Sequence, residues 1–435
     1  MGISNIIFLL LFVGAFVLFA LRIKTIIRNI RLGRDINLNN NFAQRLKVMS
    51  LVAIGQSKMV VRPVAGIMHI LIYVGFIIMN IELLEIIIDG ITGTHRVFAF
   101  LGGFYNFVIA SFEFLGLGVL VACIVFLIRR NIIKLKRFWS AEMTSWPRSD
   151  ANLILTIEIF LMTAFFTMNA TDQVLQSRGV EHYIHAGAFP FSQYYSALFT
   201  GLSSETLVMI ERSVWWFHIC GILFFLNYVP YSKHFHILLA FPNVFYSNLN
   251  AKGKFNNMES VTNEVKLMFD PSATPPPADA APVKFGAKDV QDLTWKQLMD
   301  AYSCTECGRC TSNCPANITG KKLSPRKIMM DTRYRLEEVG KNIDKNGAEF
   351  NDGKSLLHDF ISPEELWACT SCNACVEACP VNIDPLSIIV DLRRNLVMEE
   401  SNAPSALAGM FTNVENNGAP WQFAQADRLN WANEN

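Results

Sequence analysis

The sequence predicts a mainly α-helical protein in which five membrane-crossing helices precede a soluble, all-α domain. Three observations predict it. Residues 1–248 hold almost all the long apolar runs, and five of these reach the roughly 20 residues a helix needs to cross a bilayer. Residues 249–435 have the composition of an ordinary soluble domain. In that half one cysteine run occurs twice, and helix-start signals flank both copies. The formal charge of the 435-residue chain is +1, so no basic excess points to nucleic acid as a partner.

The apolar stretches cover about 3–21, 64–89, 104–128, 151–171 and 213–240. The first lacks a basic start and a small-residue cleavage site, and reads as a retained anchor rather than a signal peptide. Between the first two spans lie nine Lys and Arg residues, from Arg22 to Arg62, and six more, from Arg129 to Arg148, follow the third. The other two connections offer only Arg96, Arg178 and Arg212. Positive-inside bias then puts the N-terminus outside and the soluble domain in the cytoplasm, the setting of a multi-pass protein of a prokaryotic cytoplasmic membrane.

Eight of the ten cysteines form the two runs, Cys304, Cys307, Cys310 and Cys314 before Pro315, and Cys369, Cys372, Cys375 and Cys379 before Pro380. This is the spacing with which two-cluster ferredoxins hold [4Fe–4S] clusters, the fourth cysteine of each run reaching across to the other cluster. Cluster one is therefore expected on Cys304, Cys307, Cys310 and Cys379, and cluster two on Cys369, Cys372, Cys375 and Cys314. A zinc site needs four ligands and no following proline, and a disulfide framework does not explain a duplication. Such cysteine usage suits a reducing compartment.

Residues 249–290 read as a connection, Pro-rich and extended at 271–282. The cluster domain spans 291–400, with helices expected over Thr294–Ala301, from Ser324-Pro325 to about Gly340, and from Ser362-Pro363. The 54 residues between Cys314 and Cys369 favour an all-α over a β-sheet ferredoxin. Residues 401–435 form a polar tail with Trp421 and Trp431.

Histidines within apolar spans are costly and point to function. His69 lies in the second span and His218 in the fifth, with His234 and His236 near its cytoplasmic end. His218 and His236 share a face, ~27 Å apart, if the helix continues past Pro230. Depth, counted from Arg62 and Pro242, pairs His69 with His236 as ligands of a b haem near the clusters. His218 then belongs nearer the outer face, with Met79, His95, His182 or His185 as partner, or shares a single haem with His69; one or two haems remain open. A haem beside clusters implies a quinone site, for which a menaquinone-type quinone is the expected occupant. Protonatable candidates for its site are Glu113 and Glu158 within spans, and His182 and His185 near the outer surface, with Glu82, Glu85 and Asp89 close by.

The stretches Arg62-Pro-Val-Ala-Gly-Ile-Met-His69, Trp215-Trp-Phe-His218 and Tyr231-Ser-Lys-His-Phe-His236 resemble the five-helix cytochrome b subunit of respiratory nitrate reductase, its gamma subunit, and more closely the membrane cytochromes of heterodisulfide reductase-like complexes. The resemblance implies haem ligation by His218 at the outer side and His236 at the inner side; the chain departs from it in lacking a second histidine on its second span. The cysteine runs resemble the cluster-bearing subunits of heterodisulfide reductase and of succinate dehydrogenase. The fold so implied is a transmembrane cytochrome b bundle joined to an all-α dicluster ferredoxin domain. Adjacent Cys-Cys motifs and a Gly-x-Gly-x-x-Gly fingerprint are absent, so a separate cytoplasmic subunit, such as one like the heterodisulfide reductase catalytic subunit, is expected to handle substrate. The expected role is a quinone-linked oxidoreductase subunit; a membrane-anchored redox sensor and a structural respiratory component are the alternatives.

Overall fold

The computed structural model describes residues 2–270, 272 and 284–433. Apart from Ser272, the proline-rich stretch 271–282 lies outside them. Regular structure is helical, and among the described residues there is no β-strand. Five helices are long and apolar enough to cross a membrane: Ile3–Ile30, Pro63–Thr92, Gly103–Ile132, Trp146–Ser177 and Ser204–Tyr231.

The first four are longer than their apolar runs, because hydropathy marks the bilayer-embedded part while backbone hydrogen bonding continues through polar residues. The first span carries Arg22, Lys24 and Arg28 beyond its apolar stretch. The fifth starts nine residues before the expected 213, where the Ser203 hydroxyl accepts from the Thr206 N–H at 3.3 Å. Glu205, Glu211 and Arg212 hide that start from a hydropathy reading.

One expectation fails. No helix runs unbroken through Pro230. The α-helix ends at Tyr228, and two 3₁₀ turns, Val229–Tyr231 and Lys233–Phe235, lead to a new helix, His236–Phe245. Proline has no N–H to continue the ladder and crowds the carbonyl a turn back. His218 and His236 therefore lie on different helices, and a shared face with a ~27 Å rise does not apply. The depth reckoned from Pro242 fails as well, since the last helix runs through Pro242 to Phe245.

Within the bundle, Phe8, Ile109, Phe112, Phe165 and Ile219 form a buried core, while Leu10, Leu18 and Phe107 stand exposed on the outward faces, as lipid-facing side chains do. In the soluble half, Thr294 caps Trp295–Ser303 and shares a capping box with Gln297. Ser324 and Pro325 open a helix that reaches Asn346, six residues past Gly340. Ser362 and Glu365 box the start of Pro363–Trp367. Leu298, Ile328, Leu336, Leu366, Ile389 and Leu392 fill the core, which also takes in Ala287 and Val290, ahead of the expected start at 291.

The two halves share that core. Ile26, Val229, Phe235 and Val244 pack into it from the membrane side. Polar links surround the seam. Asn29 donates to the Tyr302 hydroxyl at 2.9 Å, and Arg22 pairs with Glu337 at 2.8 Å. Arg326, fully buried, donates to the Arg137 carbonyl at 2.6 Å and to Glu142 at 2.6 Å, both in the loop after the third span. Removing one partner of a buried ion pair strands the other and costs about 3–5 kcal/mol. Arg326→Leu is therefore expected to lower the unfolding temperature of the detergent-solubilised protein and to expose the 129–145 loop to protease. Unchanged protease resistance of that loop would show that the seam does not depend on Arg326.

Candidate functional site

The cysteine runs fold alike. Cys304 ends one short helix, Cys310 sits in the turn Arg309–Ser312, and Cys314 opens Pro315–Ile318. Cys375 lies in Ala374–Ala378, which Cys379 ends. In each run the residues two and four positions after the first cysteine take left-handed backbone: Glu306 (φ 52°) and Gly308 (φ 69°), then Ser371 (φ 55°) and Asn373 (φ 59°). These two reversals curl the chain so that the cysteines face one another. Glycine is required only in the first run, where a Cβ at Gly308 would meet Arg326 Nη1 at 2.5 Å and Arg137 Cβ at 3.3 Å. The first run thus packs against the membrane half.

The thiols fall into two neighbourhoods. Burial raises Cys310 far above the usual thiol range, and Cys307, Cys304, Cys379 and Cys375 add to it. Burial pushes Cys379 up to about 12, with Cys307 and Cys304 adding and the N–H groups of Val381 and Ile383 opposing. Cys304 is pushed up to about 11, again by burial first. Cys369 and Cys375 are raised by burial and both feel Cys314. Cys379 thus stands with the first run's leading cysteines, and Cys314 with those of the second. No disulfide forms among them. Among the described residues no three His, Cys, Asp or Glu side chains gather closely enough to hold a single metal ion. Backbone N–H groups of Ser371 and Ile383 point at the Cys369 and Cys379 sulfurs at 3.4 and 3.3 Å.

The rings of His69 and His236 face each other at 6.4 Å between centroids, and His234 lies 5.9 Å from His236. His236 Nδ1 is 3.1 Å from the Lys233 carbonyl, an arrangement that leaves Nε2 free. Burial holds His236 below the ordinary imidazole range, and His234 well below it, so both are neutral at neutral pH, the form that binds iron. His69 Nδ1 is buried without a partner, as are Nε and Nη2 of Arg130, whose charge reaches His234. An unpaired imidazole and an unpaired guanidinium beside a pair of facing histidines fit a haem with its carboxylates. The pair adjoins the first cysteine run. Lys233 donates to Glu306 at 2.6 Å, and Arg309 donates to the Lys58 and Met59 carbonyls at 2.7 and 3.2 Å, just ahead of the second span. His218 stands apart from this group, its Nδ1 3.1 Å from the Leu161 carbonyl and its ring 6.5 Å from Phe165.

At the far end of the bundle, away from the cysteines, a cavity of about 500 Å³ opens between the ends of the first, second, fourth and fifth spans. His182 lines it, with Glu82, Glu85 and Asp89; His185, Glu113 and Glu158 do not. The Glu113 carboxylate is fully buried and accepts from the N–H groups of Phe191 and Ser192, at 2.8 and 3.1 Å, and from the Ser192 hydroxyl, so it ties down a loop. His185 is exposed, and Glu158 sits near Cys123 in mid-bundle. Sequence reasoning missed Arg96 and Asp172, and took His95 only as a haem ligand. Arg96 Nε meets Asp172 at 2.7 Å, and His95 Nε2 meets the other Asp172 oxygen at 3.1 Å. The available signal was a lone arginine in a connection otherwise poor in basic residues.

Comparison with known proteins places this geometry in a class. A family model described as a 4Fe-4S dicluster domain matches residues 303–383, the whole of both cysteine runs. The chain is 28% identical over 460 residues to the probable iron-sulfur-binding oxidoreductase FadF of Bacillus subtilis, covering 99% of this chain and 61% of that protein. It is 29% identical over 425 residues to the EtfAB:quinone oxidoreductase of Syntrophomonas wolfei, covering 92% of this chain and 55% of that one. Over 148 residues it is 32% identical to a subunit of the dihydromethanophenazine:CoB--CoM heterodisulfide reductase of Methanosarcina acetivorans, covering 33% of this chain and 35% of that one. The chain thus spans 55–61% of the length of the first two relatives. No solved structure matches. The protein is a membrane protein similar to iron–sulfur oxidoreductases, with a dicluster domain that supports electron transfer through 4Fe–4S clusters.

Cluster assembly needs thiolates, and burial keeps Cys304 and Cys379 protonated at neutral pH. Because both lie raised, the thiolate fraction grows about tenfold per pH unit up to their pKa. Reconstitution of iron-depleted protein with iron and sulfide is expected to run faster at pH 8.5 than at pH 7 and to release protons. A rate independent of pH would contradict the buried, protonated thiols.

Proposed function

We propose that the chain is a membrane electron-transfer subunit that exchanges electrons between a menaquinone-type quinone and a cytoplasmic redox partner through b haem and two [4Fe–4S] clusters. Residues 1–248 serve as the membrane unit and 291–400 as the cluster unit, in the cytoplasmic membrane with the clusters on the cytoplasmic side. The observation that carries the reading is the facing pair His69 and His236, held against the loop of the first cysteine run by Lys233 and Glu306. When bound, haem and clusters supply one-electron carriers between a two-electron quinone and the partner.

The chain's residues have these parts. His69 and His236 offer neutral nitrogens for haem iron, Arg130 offers free N–H groups for its carboxylates, and His218 is placed for a second haem farther from the clusters. Cys304, Cys307, Cys310 and Cys379 hold one cluster; Cys369, Cys372, Cys375 and Cys314 hold the other. The name of the Syntrophomonas relative supports quinone at the membrane end and EtfAB as the kind of partner; the Methanosarcina relative supports a partner of the heterodisulfide reductase type.

A dithionite-minus-oxidised spectrum of anaerobically purified protein is expected to show b-type bands, with about eight non-haem irons per chain. His69→Ala and His236→Ala should lose b-type absorbance and keep that iron. Cys379→Ser should perturb the same cluster EPR signal as Cys304→Ser, whereas Cys314→Ser should match Cys369→Ser. Wild-type protein with full cluster iron and no haem, made with haem supplied, would overturn the reading.

A further inference from the structure

We infer that the far-end cavity is the quinone site and that His95 is the group that takes the proton of a quinol hydroxyl, a conclusion that rests on the function proposed above. The cavity, about 500 Å³, is of the size that encloses a small-molecule ring. Its walls set Phe8, Trp215 and Trp216, which suit a flat apolar ring, beside a strongly polar lining in which Glu82, Glu85, Asp89, Glu211 and Arg212 surround the His95 and Asp172 pair.

His95 is nine-tenths buried and lines this cavity. Its Nε2 stands 3.1 Å from Asp172 Oδ1, and Asp172 is itself almost fully buried and engaged by Arg96 and Gln176. A fixed carboxylate at Nε2 holds the proton there and leaves the Nδ1 lone pair open. That Nδ1 is buried and has no hydrogen-bond partner. An orphaned acceptor calls for a ligand that brings a donor, and a quinol hydroxyl is such a donor. The exposed His182 ring stands 5.5 Å from the His95 ring and lines the same cavity. Tyr183, 5.1 Å away, is held by Glu211.

Oxidation of one quinol to one quinone releases two electrons and two protons. The electrons leave singly along the proposed haem and cluster route to the partner, which is reduced. One hydroxyl proton passes to His95 Nδ1, whose positive charge Asp172 balances, and from there to water past His182; the hydroxyl at the opposite end of the ring releases its proton to water at the open mouth of the cavity. Quinone reduction runs the same transfers backwards.

The test uses the full-length chain in detergent, with two probes. Fluorescence quenching of 2-heptyl-4-hydroxyquinoline N-oxide reads binding, and menadiol reads electron delivery to the clusters. Wild type is expected to bind the N-oxide saturably, and His95→Leu to bind it about tenfold more weakly, the loss of one hydrogen bond. His95→Gln, which keeps an acceptor and the side chain's size, should recover part of the affinity. Asp172→Asn should lower the menadiol kcat more than it raises KM, with cluster iron intact. Tyr194→Ala, on the exposed side of the short helix Ser192–Ser196, should behave as wild type. If His95→Leu and His95→Gln both bind the N-oxide like wild type while menadiol reduces their clusters normally, the siting is wrong and the proposed function stands. If menadiol fails to reduce the wild-type clusters, the quinone reading itself falls, and the siting with it.

Discussion

A buried chain of charges holds the two halves in register. Lys233, in the turn after the fifth span, pairs with Glu306 at 2.6 Å and lies 3.8 Å from Asp150; Glu306 also pairs with Arg333 of the soluble domain. Lys233, Glu306 and Asp150 are each at least nine-tenths buried. Isolated charges at such depth would be prohibitive, so each group stabilises the placement of the next. Burial opposes ionisation of Glu306, but Arg333 and Lys233 outweigh it and hold the carboxyl below its usual range. Glu306 lies between Cys304 and Cys307, and Lys233 lies three residues before His236. The pair therefore fixes the distance between a cysteine loop and a histidine pair that belong to different halves of the chain.

The duplication of the cysteine run is geometric as well as sequential. Both copies reverse the backbone at the same two positions, yet they answer to different surroundings. Gly308 is crowded by Arg326 and Arg137, whereas Asn373, its counterpart, carries a side chain at the same turn. Both copies also touch the membrane half, the first through Arg309 at Lys58 and Met59 and the second through Asn243, which donates to the Val381 carbonyl at 2.9 Å.

Much of this was legible in the sequence for plain reasons. Cysteine spacing survives any packing, and apolar length reports a span wherever the helix sits. Ser203 and Thr294 mark helix starts because unpaired N–H groups need an acceptor near in sequence. What was not legible depended on encounters between distant segments. Pro230 ended a helix that hydropathy continued. Glu113, which composition alone marks as functional, proves to be tied to Ser192, 79 residues on. His95 and Asp172 are 77 residues apart, and only the bundle brings them together.

The first span has a consequence for how the chain is made. Its last turns lie in the soluble core: Ile26 and Asn29 are buried, Arg28 donates to the Gly340 carbonyl at 3.1 Å, and the side chain of Asn29 fills the space a Cβ at Gly340 would need. This span thus completes its packing only when residues some three hundred positions later have been made. Until then the apolar side chains of its last turns, Ile23, Ile26 and Ile30, lack the core they pack into. Packing of the bundle and closure of the C-terminal core are consequently coupled, because one helix contributes Phe8 to the first and Ile26 to the second.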